Sequence, residues 1–281
     1  MVSRRSKSEG KAGWLGRVLA SRKPAIERVL DAKQVRAVFQ PLVDLSTGNI
    51  FAYEALARST SPLFTNPVQM FQAAVENKCV GRLGRAIREL AVEACEDWPL
   101  FLNVHPNEFD EGLLVQPNDP IFFHNHTVYV EITESVPLSH FEMCHSVLAE
   151  IRGKGVRLAI DDLGAGYSNL KYIADLTPEI VKIDRGLVME LESGVQYRQL
   201  VKHIVELCEA MGAKVVAEGI ETVKELEAAQ KAGANYGQGF LLARPNFPPP
   251  TVYWPDDDDS ENPQPSPRSS AKQPQMAAKG K

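Results

Sequence analysis

Two aspartates, Asp161 and Asp162, stand where an apolar run meets a glycine-rich one, in Val156-Arg157-Leu158-Ala159-Ile160-Asp161-Asp162-Leu163-Gly164-Ala165-Gly166. Adjacent carboxylates repel, and a divalent cation turns that repulsion into shared coordination. Other short apolar runs in the chain end in the same way. Reading only those ends gives Glu54, Asn103, Glu131, Asp161, Asp162, Lys182, Glu218 and Gln238. Hard oxygen donors with no His or Cys among them suit Mg²⁺ or Mn²⁺ rather than Zn²⁺. Five carboxylates and an asparagine exceed what one Mg²⁺ takes, because that ion keeps several waters. Two ions sharing a bridging Asp would use them all. Paired metals ~3.5–4 Å apart serve in-line displacement at phosphorus. Lys182 fits two roles: orienting or deprotonating the attacking water once metals and neighbours lower its pKa, or simply pairing with a buried carboxylate.

Such a set converges only if the runs are strands that share one rim. β-branched or apolar runs predict strands at Arg36–Leu45, Ile50–Leu56, Leu100–Val104, Thr127–Ile132, Val156–Ile160, Ile180–Ile183, Lys214–Ala217 and Ala234–Phe240. Helical periodicity predicts helices at Val68–Val75, Gly84–Trp98, Phe141–Gly153, Val195–Met211 and Val223–Ala232. Eight strands alternating with helices over roughly 210 residues point to an α/β fold of the (β/α)8 TIM-like barrel type. The first connection, Ser46-Thr47-Gly48, has no room for a crossover helix. The first two strands must therefore be antiparallel, which makes this a modified barrel with one reversed strand.

Composition sets the outer limits. The 281 residues are 44% apolar and 24% charged, the balance of a globular protein with a sizeable core. A net charge of −5, from 31 Lys+Arg against 36 Asp+Glu, argues against nucleic acid as a general partner. Cys79, Cys95, Cys144 and Cys208 are scattered and read as reduced thiols of a cytoplasmic protein. No apolar run approaches the ~18–20 residues of a membrane span. The stretch Trp14–Ala20 is broken by Arg17 and makes a poor signal peptide.

Three zones follow. Residues 1–34 form a basic arm, partly disordered and helical near its end, suited to an anionic membrane surface or an acidic partner. Residues 35–248 hold the folded domain. Residues 249–281, rich in Pro, Asp and Lys and including Asp256–Asp259, read as a disordered tail. Three further clusters carry no chemistry on this reading. Gly164-Ala165-Gly166 lacks Walker or Rossmann spacing and reads as a turn. His124-Asn125-His126 reads as a polar loop, and Glu142 with His145 as helix surface.

Taken in order, the motifs resemble the EAL domain family. Phe39-Gln40-Pro41-Leu42-Val43-Asp44 and Tyr53-Glu54-Ala55-Leu56-Ala57-Arg58 are similar to its opening. Leu102-Asn103-Val104, Val130-Glu131-Ile132-Thr133-Glu134, Asp161-Asp162-Leu163-Gly164-Ala165-Gly166-Tyr167-Ser168 and Val181-Lys182-Ile183-Asp184 follow. Ala217-Glu218-Gly219-Ile220-Glu221-Thr222 and Gly237-Gln238-Gly239-Phe240 complete the series, over about residues 36 to 246.

The resemblance implies a phosphodiesterase that opens cyclic di-GMP to linear pGpG with two Mg²⁺ or Mn²⁺ ions per active site, in a homodimer. It implies one metal on Glu54, Asn103, Glu131 and Asp161, and a second on Asp161, Asp162 and Glu218. It places Lys182 at the hydrolytic water with Gln238 in support, and Arg58 and Gln40 toward the substrate. Glu134 would tether the loop after Asp162, and Glu221 would support Glu218. Two departures stand out: Leu163 where the family usually has Phe, and Ser59–Arg82, which lacks the usual Trp after the Arg. Rival readings are a silent EAL domain acting as a cyclic di-GMP receptor or protein-interaction module, and a phosphodiesterase for another ester. Silent members typically lose metal-site residues, and every matching position is present here.

Overall fold

A computed structural model describes residues 23–133, 141–165 and 170–255. Eight strands close a barrel in sequence order: β1 (Val35–Asp44), β2 (Ile50–Ser59), β3 (Leu100–Asn103), β4 (Val128–Thr133), β5 (Arg157–Leu163), β6 (Ile180–Ile183), β7 (Lys214–Ala217) and β8 (Tyr236–Gly237). β1 runs antiparallel to both β2 and β8, and the remaining neighbours are parallel. The modified barrel with one reversed strand is thus the observed fold. The reversal is built at the first turn. Asp44 Oδ1 accepts from the backbone N–H groups of Ser46 and Thr47 at 2.9 and 3.0 Å, and Gly48 supplies φ +71°.

The inside of the barrel has two layers. Leu42, Ala52, Phe101, Tyr129, Ala159, Ile180 and Val216 form an apolar floor, with Tyr236 against it. The Phe101 and Tyr129 rings stack at 4.4 Å. Two residues along each strand the chemistry changes to Glu54, Asn103, Glu131, Asp161, Lys182, Glu218 and Gln238. On reversed β1 the same step runs backwards, from Leu42 to Gln40. Side chains of a strand alternate with period two, so residues i and i+2 share the inner face. The floor therefore keeps water from beneath the polar layer.

Ten helices, in chain order, are α1 (Ala25–Asp31), α2 (Pro67–Glu76), α3 (Val80–Ala94), α4 (Glu108–Glu111), α5 (Phe141–Gly153), α6 (Lys171–Leu176), α7 (Arg185–Met189), α8 (Val195–Ala210) and α9 (Val223–Ala232), with a 3-10 turn at Pro120–Phe122 as the tenth among the described residues. α9 carries a capping box in which Thr222 and Glu225 satisfy each other's backbone N–H groups.

Among the boundaries that differ from expectation, three bear on packing. The helix expected at Gly84–Trp98 runs from Val80 to Ala94. Pro99 disfavours helix at Trp98, and Gly81 and Gly84 are there for close packing. A Cβ on Gly84 would lie 2.1 Å from Glu108 Oε2. At the N-terminal end, Ile26 and Val29 of α1 are fully buried against α2 and α3, so the packed chain begins before residue 35. At the other end, Tyr53 Oη donates to the Pro250 carbonyl at 2.8 Å, and Val252 and Trp254 pack on Val43 and Leu242. The packed chain therefore continues past Pro248, because two apolar side chains in the Pro-rich stretch find a surface to bury. Residues 1–22, Glu134, and Asp256–Asp259 lie outside the described residues.

A buried ion cluster braces one flank. Arg88 of α3 reaches Glu108 Oε2 at 2.7 Å and Asp119 Oδ2 at 2.9 Å, with all three side chains at 1% exposure or less. Glu108 Oε1 in turn accepts from the His105 backbone N–H at 3.0 Å. This ties α3 to the segment just after Asn103.

Candidate functional site

The polar layer is organised round Lys182. Its Nζ lies 2.6 Å from Glu218 Oε1, 2.8 Å from Glu131 Oε1, 3.2 Å from Asp161 Oδ1 and 3.5 Å from Glu54 Oε2. Burial works to lower the Lys182 ammonium, but the carboxylates, Glu131 foremost, outweigh it and hold the group well above the ordinary lysine range. Burial drives the Glu131 carboxyl well above its usual range, against the pull of Lys182. Burial likewise pushes Glu218 up to about 8.

Glu54 stands apart. Burial raises it, yet Lys182 and the side-chain amides around it bring it below the usual carboxylate value. Asn103 Nδ2 donates to Glu54 Oε1 and Gln238 Nε2 to Glu54 Oε2, both at 2.8 Å. Gln238 Nε2 also approaches Gln40 Oε1 at 3.3 Å, and Gln40 Nε2 donates to the Ala243 carbonyl at 3.1 Å. The amides thus fix both oxygens of Glu54 before anything binds.

Successive residues of a strand point to opposite faces, so a regular β5 could not aim both aspartates inward. The β5–β6 register is interrupted between Ile160 and Leu163, and Asp162 takes φ +60°. A bulge with a left-handed residue turns the second carboxylate back to the side of the first. Carboxylate oxygens of Asp161, Asp162 and Glu218 then lie within 4.8 Å of one another, a cluster able to hold a metal ion. Leu163, 1% exposed, resumes pairing opposite Ile183 and anchors the bulge in the core.

A cleft of about 290 Å³ opens above this layer. Glu54, Asp162, Glu218, Gln40 and Gln238 line it, as does Glu221. Arg58, on the face of β2 that carries Glu54, donates Nη1 to the Ala57 carbonyl at 2.8 Å. Glu221 does not brace Glu218 directly. Its Oε2 pairs with Arg185 Nη2 at 2.8 Å. Arg185 and Phe240 also line the cleft, and neither emerged from the strand-end positions. Phe240 is 44% exposed, with the Arg244 guanidinium 4.3 Å above its ring. His124 Nε2 lies 2.8 Å from the Trp98 carbonyl, and His145 on α5 is exposed.

The donor set fits hard divalent cations. Glu131 Oε2 is a buried carboxylate oxygen without a hydrogen-bond donor. Buried anionic oxygens of that kind are costly unless a cation satisfies them. All the candidate donors are oxygens, the preference of Mg²⁺ and Mn²⁺.

A sequence profile of the EAL domain matches residues 24–245. The chain belongs to the EAL domain family. The EAL match begins just before α1 and ends in the segment after β8. Among curated relatives, the cyclic di-GMP phosphodiesterase PA2567 of Pseudomonas aeruginosa is 28% identical over 230 residues, which cover 77% of this chain and 39% of that protein. The first relatives matched are covered to 30%, 28% and 39% of their length, so this EAL chain spans about a third of each. A manganese and cyclic di-GMP complex of Klebsiella pneumoniae BlrP1 is 30% identical, with a TM-score of 0.66, over 76% of this chain and 56% of that one. The PaMucR phosphodiesterase in complex with c-di-GMP is 29% identical, with a TM-score of 0.69, over 79% and 95% of the two chains. Among the described residues, no helix is long and apolar enough to cross a membrane.

Proposed function

We propose that this EAL domain is a phosphodiesterase that opens cyclic di-GMP to linear pGpG with two Mg²⁺ or Mn²⁺ ions per active site. The observation that carries this reading is the complete polar layer, with the Asp161–Asp162–Glu218 cluster at the mouth of the cleft. Glu54, Asn103, Glu131 and Asp161 would hold one ion, and Asp161, Asp162 and Glu218 the second. Bound there, the ions supply an activated water and charge neutralisation at phosphorus.

The chain's own groups do the rest. Lys182 donates to the attacking water and orients it. Asn103 and Gln238 hold the Glu54 carboxylate in one orientation, which pre-organises it without reorganisation during the reaction. Arg58 and Gln40 face the substrate. Glu221 holds Arg185 beside Gly219, the residue that follows Glu218. The oxygen of water bonds to phosphorus and the P–O3′ bond breaks. One proton of water ends on the 3′ oxygen, leaving a 5′-phosphate and a 3′-hydroxyl.

Two features of the assembly belong to the same proposal. The domain works as a homodimer, a reading supported by exposed Tyr197, Leu200 and Leu207 along α8. It works in the cytoplasm, in keeping with buried free thiols at Cys79, Cys95 and Cys208. Incubating purified protein with cyclic di-GMP and Mg²⁺ or Mn²⁺, and following pGpG by chromatography, tests the activity. Binding without turnover would make the domain a receptor instead.

A further inference from the structure

Among the described residues, Arg185 is the only basic one lining the cleft, beside five acidic ones: Glu54, Asp162, Asp184, Glu218 and Glu221. A cleft so acidic repels any phosphate ester away from its metals, and a cyclic dinucleotide carries a second phosphodiester. That second anion needs a cation of its own. Arg185 lines the cleft, and two structural devices fix it there.

The first device is Gly219. It has φ +69°, and a Cβ built on it would lie 2.4, 2.6 and 2.8 Å from Cγ, Cβ and Cδ of Arg185. The aliphatic stem of Arg185 therefore lies across a glycine that no other residue could replace without moving it. The second is Glu221, whose Oε2 takes Nη2 at 2.8 Å. A guanidinium carries five N–H donors in a planar fork, so one ion pair leaves donors for a phosphate. At 47% side-chain exposure, the group is accessible from the cleft.

We propose that Arg185 binds the non-scissile phosphate of a cyclic dinucleotide, with Gly219 and Glu221 setting the position of its guanidinium. The inference rests on the phosphodiesterase reading above. It makes the β6–β7 rim a specificity device that favours substrates with two phosphodiesters over those with one.

The test compares wild type, Arg185→Gln and Arg185→Lys in steady-state kinetics on cyclic di-GMP and on bis(p-nitrophenyl) phosphate, which has a single phosphodiester. Loss of a charge-assisted contact made equally in ground and transition states raises KM for cyclic di-GMP about tenfold and changes kcat less than about threefold. The loss in kcat/KM is at least about fivefold larger for the dinucleotide than for the small diester. Arg185→Lys keeps the charge without the fork and falls between wild type and Arg185→Gln. An unchanged KM in Arg185→Gln overturns the proposal. So does an equal loss on both substrates, which would make Arg185 a prop for the Glu218 loop. In both cases wild-type turnover leaves the phosphodiesterase reading standing. A wild type that neither binds nor opens cyclic di-GMP overturns both.

Discussion

Lys182 Nζ sits 2.6 Å from Glu218 Oε1 and at the same time 2.8 Å from Glu131 Oε1, joining β7 to β4 across the barrel mouth. One ammonium thus serves carboxylates that would otherwise repel each other at the floor of the cleft. Lys182 has a structural duty besides any catalytic one, and the two can be separated by experiment.

Replacing Lys182 by Met removes the counter-charge and leaves buried carboxylates unpaired. Breaking a buried ion pair by deleting one partner costs about 3–5 kcal/mol. The variant should therefore unfold at lower temperature than wild type in the presence of a chelator. Mn²⁺ at 100-fold over its dissociation constant should return about 2.7 kcal/mol by mass action. Thermal unfolding with and without Mn²⁺ checks this. A variant as stable as wild type in chelator would show that the four ion pairs contribute little.

Arg88 makes the same argument away from the site. Arg88→Met leaves Glu108 and Asp119 buried without their cation, at a cost of about 3–5 kcal/mol. Because Glu108 also holds the His105 backbone N–H, two residues beyond Asn103, activity should fall along with stability. Denaturant titration and turnover on the same preparation read both. Full stability in the variant would contradict the bracing role.

The first turn and the C-terminal segment form a testable pair. The Trp254 ring comes within 2.9 Å of where a Cβ on Gly48 would stand. Trp254→Ala should cost about 1–3 kcal/mol through lost apolar burial. Gly48→Ala should cost about 1–3 kcal/mol through left-handed strain, plus the clash with the ring. In the double variant the clash is gone, so the two losses should sum to less than additive. Strict additivity would mean that the segment past Pro248 does not pack on the turn.

Burial lowers the His124 imidazole below its ordinary value, while its contact with the Trp98 carbonyl works upward. A depressed folded value means that the neutral ring is favoured in the native state. That contribution is intact above the ordinary histidine value of about 6.5 and is lost as pH falls through the lower folded value. His124→Gln should accordingly lose less stability than wild type between about pH 7 and about pH 5. Parallel curves for the two proteins would contradict this.

How much was legible in the sequence follows from where each signal is written. The barrel and its polar layer were readable because strand alternation is local: an apolar residue at i and a polar one at i+2 recur in Ala52/Glu54, Phe101/Asn103 and Val216/Glu218. The reversed first strand was readable from the length of one turn. The partner of Glu221 was not, because Arg185 stands at the start of α7, after a different strand, and only the closed barrel brings them together. Trp254 was hidden in a Pro-rich run whose composition suggests a tail. Its burial depends on the Gly48 turn, some two hundred residues away in sequence. The start of α3 was missed because Gly81 and Gly84 weaken helix propensity locally while serving tertiary packing against Glu111 and Glu108.

The central claim is that the polar layer is a metal-dependent phosphodiesterase site. Its most direct test is turnover of cyclic di-GMP to pGpG by the wild type and by Glu54→Ala, with Mg²⁺ or Mn²⁺ and with chelator. Wild type should form pGpG only with metal, and Glu54→Ala should lose at least about a hundredfold in kcat/KM, the scale seen when a pre-organised active-site group is removed. Wild type that binds the dinucleotide without opening it, or a Glu54→Ala variant as fast as wild type, would contradict the account.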